Sequence, residues 1–405
     1  MRSQVRFLLA PPPGNLWSQP KVPDVDQGSR VGSEHTGASA SEPQVPLSDL
    51  SRIDPATGRK LEAGFERVLR SGWFLRGSET ARFEAELGDR IGVRAIGVAN
   101  GTDALFLAMS ALGVGRDNRI ATVGNAGGYT SGAALRLGAI PVIIDVNVDD
   151  AQMNPESLER ALGSSTPPTA VVMTHLYGQV GDVERIAALC SEADVPLVED
   201  CAQALGASVK GRPVGTFGQL ATTSFYPSKN LGAFGDGGAV FAQTDELAET
   251  VASLAQYGWG DRFHVELSGG INSRLDEIQA MVLSTLLESL TARNERRREL
   301  CRRYANALSG GRRLIGTLDE RFVGHLAVMV TEQRDHDREQ LRRHGVQTGI
   351  HYPVLDQFQT AWLGRIQSHS VPNSEWLSSR VLTIPCFPEM TEQEVDIVSS
   401  ALAQL

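Results

Sequence analysis

The chain has 405 residues, a length that favours two packed domains over one. Its formal net charge of −10 argues against nucleic acid as the main partner, because phosphate binding needs clustered Lys and Arg. Its 4 cysteines show no CxxC spacing, so neither a metal site nor a disulfide framework is expected, and a reducing cytoplasm fits. No apolar run approaches the ~20 residues that span a membrane.

Residues 1–45 are rich in Pro, Gly and Ser and show little apolar periodicity. This composition predicts a disordered tail or an over-long start of the reading frame. The first residues, MRSQVRFLLAPPPG, begin with a basic side chain, but their apolar stretch is too short for a secretory signal. Ordered structure is therefore expected to begin near the stretch VPLSDL.

Two amphipathic helices are predicted next. The stretch ATGRKLEAGFERVLRSG has helical spacing that places four apolar residues on one face, namely Leu61, Phe65, Val68 and Leu69. The stretch SETARFEAELGDRIG is predicted to form a second helix, with Ser78 or Thr80 as its N-terminal cap.

Short apolar strands then alternate with helices. The predicted strands are AIGVA, RIATVG, PVIIDV, TAVVMTHL, PLVEDC, ATTSFY and GGAVFA, and helices such as GTDALFLAMSALG and DVERIAALCSEAD separate them. This alternation predicts an α/β fold with a mostly parallel central sheet between helices. From DELAETVASLAQYG on, the pattern changes to one long helical stretch and a smaller α+β segment. We therefore predict a large α/β domain at 46–258 and a smaller C-terminal α+β domain at 259–405.

Ligands of parallel α/β sheets collect at the carboxyl ends of the strands, and polar residues follow three of the predicted strands. After AIGVA, a turn into a helix leaves free N–H groups at Gly101 and Thr102, which suits a phosphate, although a plain helix cap also explains these residues. After PLVE, Asp200 is either a helix cap or a carboxylate that pairs with a protonated ring nitrogen. Gln203 would lie one helical turn further on, near the same ring.

Lys229 follows the third strand, within the stretch SFYPSKNLGAFGDGG. Taken alone, a lysine on a surface loop is the commoner explanation. A buried lysine beside other cations has a lowered pKa, however, and acts as a nucleophile or a base. A phosphate cup, an acid and a lysine are together the three groups that pyridoxal phosphate (PLP) needs, so their combination predicts this cofactor.

At this point the sequence resembles the DegT/DnrJ/EryC1/StrS family, the sugar aminotransferases among the fold-type I PLP enzymes. The stretches that carry the resemblance run in family order from about residue 46 to the C-terminus: VANGTDAL, THLYGQVGDVERI, VEDCAQALGA, SFYPSKNLGAFGDGGAV, GGINSRLDEIQA, GIHYPV and LSSRVLTIPCFPEMTEQEV. The resemblance implies a fold-type I aminotransferase that uses PLP and works as a homodimer with shared active sites.

Three roles follow from the resemblance by position. Lys229 matches the lysine that binds the cofactor aldehyde covalently and then moves the proton between the substrate carbon and the cofactor. Asp200 matches the acid on the pyridine nitrogen, and Gln203 matches a residue near the ring hydroxyl. These three residues are therefore expected to surround the cofactor ring.

The resemblance also assigns residues to the cofactor phosphate. Gly101, Thr102, the backbone of Asp103 and Ser224 match the phosphate cup. Asn272 matches an asparagine that reaches the phosphate from the second subunit of a dimer, although it is otherwise a turn residue before the long helix. A homodimer is therefore implied.

The sequence departs from the family in one stretch. The family has an aromatic residue, which stacks on the cofactor ring, in a stretch similar to NTFIATA, whereas this chain has NAGGYTS with glycine in that place. Tyr129 is two residues further on, and it is either the stacking residue or a tyrosine of the core or helix start.

Substrate contacts are assigned by the same resemblance. His351 and Tyr352 in GIHYPV match substrate-side residues, although a packed or capping histidine explains His351 equally well. Arg274 has a fork of donors that suits a carboxylate or diphosphate, or else it forms a salt bridge to Asp276 or Glu277 on the long helix.

The resulting prediction is a cytoplasmic aminotransferase of amino sugar biosynthesis, for an antibiotic or a surface polysaccharide. It moves an amino group from L-glutamate to a nucleotide-linked, dTDP-type keto-deoxysugar. The alternatives are a keto-cyclitol aminotransferase, a PLP-dependent keto-sugar dehydratase and a non-catalytic PLP-fold sensor. Dehydratases related to this family have histidine in place of the lysine, so Lys229 argues against the second of these.

Overall fold

The computed structural model describes residues 44–405. The tail predicted at 1–45 lies outside the described residues, apart from Gln44 and Val45. Val45 is buried and forms a bridge with Val346, so the described chain is packed from its second residue.

The helices and strands that the sequence predicts occur in the predicted order, and further elements that it does not predict, such as those at Pro155–Leu162 and Arg334–Arg343, lie between them. The helices are α1 Pro55–Ser71, α2 Ser78–Ile91, α3 Gly101–Ala111, α4 Tyr129–Arg136, α5 Pro155–Leu162, α6 Val183–Glu192, α7 Asp245–Leu254, α8 Glu277–Leu287, α9 Leu290–Ala307, α10 Arg334–Arg343, α11 Pro372–Ser378 and α12 Glu392–Leu402. The strands are β1 Arg94–Val98, β2 Arg119–Val123, β3 Ile140–Ile144, β4 Ala170–Thr174, β5 Leu197–Asp200, β6 Ser208–Val209, β7 Arg212–Pro213, β8 Leu220–Ser224, β9 Gly238–Ala242, β10 Arg313–Leu314, β11 Ala327–Val330, β12 Gln367–Ser368 and β13 Val381–Ile384. Within residues 44–405, no helix combines the length and the apolar character that crossing a membrane requires.

An eight-stranded sheet forms the centre of the fold, in the order β1-β9-β8-β5-β4-β2-β3-β12. Strand β9 is antiparallel to both β1 and β8, and the other neighbours are parallel, so the prediction of a mostly parallel sheet is confirmed. Strands β4 and β9, neither of which is an edge strand, are buried at every position, as expected for a sheet covered on both faces. Separate apolar clusters pack on its two faces.

A second, three-stranded antiparallel sheet, β10-β11-β13, lies in the later part of the chain. Residues of α9, α10 and α12 form an apolar cluster with this sheet. Strand β12 also belongs to the later part of the chain, yet it pairs with β3 at the edge of the large sheet. The boundary between 46–258 and 259–405 therefore stays a prediction.

Three local predictions differ from the structure. The long helical stretch is two helices, because α8 ends before Glu288 and α9 begins after Ser289. Leu69 is 63% exposed and does not belong to the buried face of α1. The side-chain cap predicted for α2 is also wrong, since Gly77 occupies the cap position and has no side chain to offer.

The start of α2 is capped instead by Glu277 of α8. The Glu277 carboxylate accepts the N–H groups of Gly77, Glu79 and Thr80 at 2.8 to 2.9 Å. A carboxylate at this place satisfies donors that lack a partner within the helix and complements the helix dipole. Because Glu277 is far away in the sequence, no local motif indicates this cap.

The carboxyl ends of three strands meet at one edge of the large sheet. Strands β5 and β8 are parallel neighbours, and β1 runs in the same direction as β8 because the antiparallel β9 separates them. The segments after β1, β5 and β8 are therefore adjacent, and they are the three segments for which polar function is predicted.

Candidate active site

Lys229 lies in the loop after β8. The loop is a tight turn, in which the Lys229 N–H donates to the Tyr226 carbonyl and the Ala233 N–H donates to the Phe225 carbonyl, both at 2.8 Å. The surrounding protein desolvates the Lys229 ammonium group and lowers its pKa to about 8, although the negative charge of Asp200 opposes this shift. An amine with this pKa is partly neutral near pH 7, as a nucleophile or a proton acceptor must be.

Asp200 is the last residue of β5 and is 5% exposed. The Ala202 N–H donates to Asp200 Oδ1 at 3.1 Å, and the Thr174 hydroxyl donates to Oδ2 at 3.3 Å. Burial raises the pKa of Asp200, whereas these hydrogen bonds and the charge of Lys229 oppose the rise. A buried carboxylate of this kind gains most from a cationic partner, such as a protonated ring nitrogen.

The start of α3 forms a cradle for an anion. Its first N–H groups, at Gly101 and Thr102, have no carbonyl partner within the helix. Gly101 is packed so closely on Ser224 that an added β-carbon would lie 2.6 Å from the Ser224 Cβ, so only glycine fits here. Helix N–H groups beside the Thr102 and Ser224 hydroxyls are the donors that bind phosphate in other proteins.

One cavity of about 530 Å³ connects these segments. Its wall includes eight of the predicted site residues, namely Gly101, Thr102, Tyr129, Asp200, Ser224, Lys229, His351 and Tyr352. This volume is in the range of small-molecule and cofactor sites. A lysine, a buried acid and a phosphate cradle thus open onto one space, and this donor set fits PLP.

Two further predicted residues lie beside the cavity without lining it. The Gln203 amide is buried, where it donates from Nε2 to the Tyr352 hydroxyl at 3.3 Å and accepts the Tyr177 N–H through Oε1. The Asp103 N–H donates to the Asn100 side chain at 2.8 Å, and the Asp103 carboxylate pairs with Arg136. The Asp103 N–H is therefore already engaged in this conformation.

The structure does not bring Asn272 and Arg274 into the cavity. Asn272 is exposed and forms a bridge with Gln256. Arg274 lines a separate, much smaller pocket beside Arg76 and Glu84, and it makes no ion pair with the residues of the described chain. A role for either residue at this cavity would require a different chain or a movement of the loop.

His175 and Tyr177, which follow β4, make hydrogen bonds next to the site. The His175 imidazole pairs with the buried Glu199 carboxylate at 3.1 Å, close to Cys201. Burial acts to raise the pKa of Glu199, but hydrogen bonds from His175 and from backbone N–H groups outweigh it and lower the pKa. The Tyr177 hydroxyl donates to the His351 carbonyl. Tyr177 thus contacts the cavity-lining His351, and His175 pairs with Glu199, the residue before Asp200.

Sequence reasoning missed His325, which lines the cavity and is 6% exposed. Its Nδ1 is 3.0 Å from the Asn230 side-chain oxygen, and burial lowers its pKa well below the usual value, so its ring is neutral at neutral pH. His325 precedes the strand β11 without any motif around it, so nothing in the sequence marked it. Tyr226, Ser228 and Asp236 were missed as well, although they flank Lys229 in the sequence.

The sequence matches the model of the DegT/DnrJ/EryC1/StrS aminotransferase family over residues 55–403. A dTDP-3-amino-3,6-dideoxy-alpha-D-galactopyranose transaminase from Aneurinibacillus thermoaerophilus is 36% identical over 361 residues, which cover 88% of this chain and 98% of that protein. A UDP-2-acetamido-2-deoxy-3-oxo-D-glucuronate aminotransferase from Pseudomonas aeruginosa is 34% identical over 363 residues, which cover 88% of this chain and 99% of that protein.

The fold is also similar to solved structures. The crystal structure of S. venezuelae DesV, in complex with a ketimine intermediate, has a TM-score of 0.85 and 36% sequence identity to this chain. The similarity covers 89% of this chain and 98% of that chain.

Proposed function

The chain belongs to the DegT/DnrJ/EryC1/StrS family of PLP-dependent aminotransferases, and we propose that it transfers an amino group from L-glutamate to a nucleotide-linked keto-deoxysugar. The observation that carries the proposal is the single cavity onto which Lys229, Asp200 and the start of α3 open. The comparisons confirm the predicted family, fold, aminotransferase activity and cofactor.

In this proposal, the bound cofactor supplies an aldehyde and an electron-accepting ring. The Lys229 amine, with its lowered pKa, would hold the aldehyde and would take and return a proton at its Nζ atom. The Asp200 carboxylate would pair with a protonated ring nitrogen, and this pair would supply electrostatic stabilisation to the reaction. Gly101, Thr102 and Ser224 would hold the phosphate and so orient the cofactor.

The substrate class follows from the relatives. The Aneurinibacillus protein is named for a dTDP-linked amino sugar and the Pseudomonas protein for a UDP-linked one. His351 and Tyr352 line the cavity and His325 lies buried beside them, so polar groups are available to hydrogen-bond a sugar. All four cysteines are free thiols in the structure, which suits the proposed cytoplasmic location.

Each alternative predicts a different product. A dehydratase would remove a hydroxyl from the sugar without consuming the amino donor, and a keto-cyclitol aminotransferase would accept a ring that carries no nucleotide. A sensor would bind PLP without turnover. The Lys229 amine lines the cavity and favours transamination. A lysine can release the cofactor to the amine of the substrate and take it back afterwards.

The proposal is tested by the two half-reactions of the purified protein. L-Glutamate is expected to convert the visible band of the lysine-bound cofactor to the ultraviolet band of the amine form. Keto sugars linked to dTDP or UDP are then expected to restore the visible band, whereas free sugars and cyclitols are not. A visible band that no amino donor changes would contradict the proposal.

We also propose that the active enzyme is a homodimer. Large apolar side chains are exposed around Asn272, in particular Trp73 at 63%, Phe263 at 73% and Val265 at 58%. The segment of Trp73 forms a bridge to Asp276 through Leu75, and the hairpin of Phe263 is joined to Asn272 through Gln256. A second copy of the chain that covers these side chains would bury apolar surface. In the proposed dimer, Asn272 of one copy would then lie near the active site of the other copy.

Asn272→Ala is expected to weaken PLP binding about tenfold, because it removes one hydrogen bond to a charged phosphate. The dimer should persist, since Asn272 itself contributes little apolar area. The measurement is a PLP titration of the apo protein, combined with size determination by light scattering. Asn306→Ala, which changes an exposed asparagine on α9, is the matched control. Unchanged affinity in Asn272→Ala would contradict the shared site.

A further inference from the structure

Gly127 and Gly128, which precede the cavity-lining Tyr129, leave space that other aromatic side chains fill. Both glycines have left-handed φ angles, 80° and 83°. An added β-carbon on Gly127 would lie 2.9 Å from Cζ and 3.0 Å from Cε1 of Tyr352. Real β-carbons essentially never approach other atoms so closely. The phenol ring of Tyr352 therefore occupies the space where a side chain at position 127 would begin.

Tyr352 is held in this place by its neighbours. Its hydroxyl accepts a hydrogen bond from Gln203 Nε2 at 3.3 Å, and Gln203 is three residues after Asp200. The Tyr352 ring packs edge-to-face on His351, with the centroids 5.3 Å apart. Burial raises the pKa of Tyr352, so its hydroxyl stays protonated. The Tyr352 ring is thus held next to the segment that contains Asp200, the acid proposed to pair with the cofactor.

Tyr129 has a more peripheral position. It is 49% exposed, and its ring meets the Tyr352 ring edge-on, with the centroids 6.4 Å apart. Tyr352 thus contacts both Tyr129 and Gln203, whereas the Tyr129 ring is about half exposed. Tyr352 is therefore better placed than Tyr129 for the stacking role that the sequence left open to Tyr129.

The segment that bears Tyr352 is docked on the glycine loop. The Asp356 N–H donates to the Gly124 carbonyl at 2.9 Å, and the Ser131 hydroxyl donates to the Asp356 carboxylate at 2.5 Å. An added β-carbon on Gly128 would lie 2.7 Å from the Trp362 indole ring. Gly127 thus makes room for Tyr352 and Gly128 for Trp362, so both glycines serve the docking of one segment.

We propose that Tyr352, and not Tyr129, is the aromatic residue that packs against the face of the cofactor ring in this protein. Gly127 stands where the family has an aromatic residue, and Tyr352, from much later in the chain, supplies the aromatic ring instead. The inference rests on the proposed cofactor site around Lys229. It adds that cofactor binding stabilises the docked segment from Tyr352 to Trp362.

The test is a PLP titration of full-length apo variants, followed by visible circular dichroism of the bound cofactor. Tyr352→Leu is expected to raise the Kd about tenfold and to weaken the dichroic band, because it removes an aromatic face. Tyr352→Phe and Tyr129→Leu are expected to stay within about twofold of the wild type. A larger loss in Tyr129→Leu than in Tyr352→Leu, or an unchanged Kd in both, overturns the proposal.

A second measurement uses the wild-type protein and does not depend on the folding of any variant. Hydrogen–deuterium exchange with mass spectrometry measures how far PLP protects each backbone segment of the chain. PLP is expected to slow exchange in the segment from Tyr352 to Trp362 at least about fivefold more than at the helix start that carries Tyr129, because the proposed packing holds that segment against the cofactor. Equal protection of the two segments, or stronger protection at Tyr129, overturns the proposal. A wild-type protein that forms no visible PLP band contradicts the proposed function itself, so the two failures are distinguishable.

Discussion

Lys229→Ala is expected to reduce transamination by about 10³-fold or more while the protein still binds PLP. The variant loses both the amine that bonds to the cofactor and the group that moves the proton, and proton transfer alone contributes about 10² to 10⁴. The cradle at Gly101, Thr102 and Ser224 and the carboxylate of Asp200 are unchanged, so binding should remain. Single-turnover rates with L-glutamate and the visible spectrum measure the two effects separately.

Two further variants make this experiment specific. Lys229→Arg retains a cation next to Asp200 but cannot form the covalent bond, so it separates the charge from the nucleophile. Lys210→Ala changes an exposed lysine that pairs with Glu184 at 2.7 Å, and it should behave as the wild type. Borohydride should fix the cofactor on the wild type and on Lys210→Ala, with Lys229 as the labelled residue. More than about 1% activity in Lys229→Ala would remove this residue from its role.

Local pattern predicts most of the central sheet. Alternating apolar strands and helices identify β1 to β5, β8 and β9, because each strand is a short apolar run that a turn residue ends. Long-range contacts decide what the pattern misses. The cap of α2 is supplied by Glu277, and β12 joins the large sheet from a distant part of the sequence.

The residues of the site also fall into two groups, those that local pattern predicts and those that only long-range contacts bring to the cavity. Asp200 ends its strand, and Gly101 and Lys229 come after theirs, so the rule that ligands collect at strand ends finds all three. His325 and Tyr352 come from the later part of the chain, and only the tertiary fold brings them to the cavity. His351 and Tyr352 were predicted because GIHYPV resembles the family, whereas His325 has no motif. The fit of Tyr352 to Gly127 is invisible in the sequence, because it depends on a distance between two remote segments.

Asp200→Asn is expected to lower kcat by about 10² to 10³ and, at the same time, to stabilise the apo protein. The asparagine amide is neutral and cannot hold the charge of a protonated ring nitrogen, so the transition state loses its main electrostatic support. The stability of the apo protein, in contrast, is expected to rise. Burial raises the pKa of Asp200 above its unfolded value, so its ionised form at neutral pH costs stability that the amide does not cost.

The sign of this linkage gives the pH dependence. A group whose pKa is raised by folding contributes stability at pH values below its unfolded pKa, and this contribution is lost as the pH rises through the folded value. The gain in melting temperature of Asp200→Asn over the wild type should therefore be larger at pH 8 than at pH 4. Asp89→Asn, at an exposed position on α2, is the control and should change neither kcat nor this difference.

The same substitution should also move the titration of Lys229. The negative charge of Asp200 raises the pKa of Lys229, so its removal should lower that pKa further below about 8. A pH titration of the rate at which PLP forms its visible band detects this shift, because only the neutral amine reacts. A variant with lower kcat but no gain in apo stability and no shift of Lys229 would show that the two groups are not electrostatically coupled. The paired acid and lysine would then act on the cofactor independently. A combined change in all three measurements is the expected result, since one buried charge controls the ring nitrogen, the lysine and the stability of the empty site.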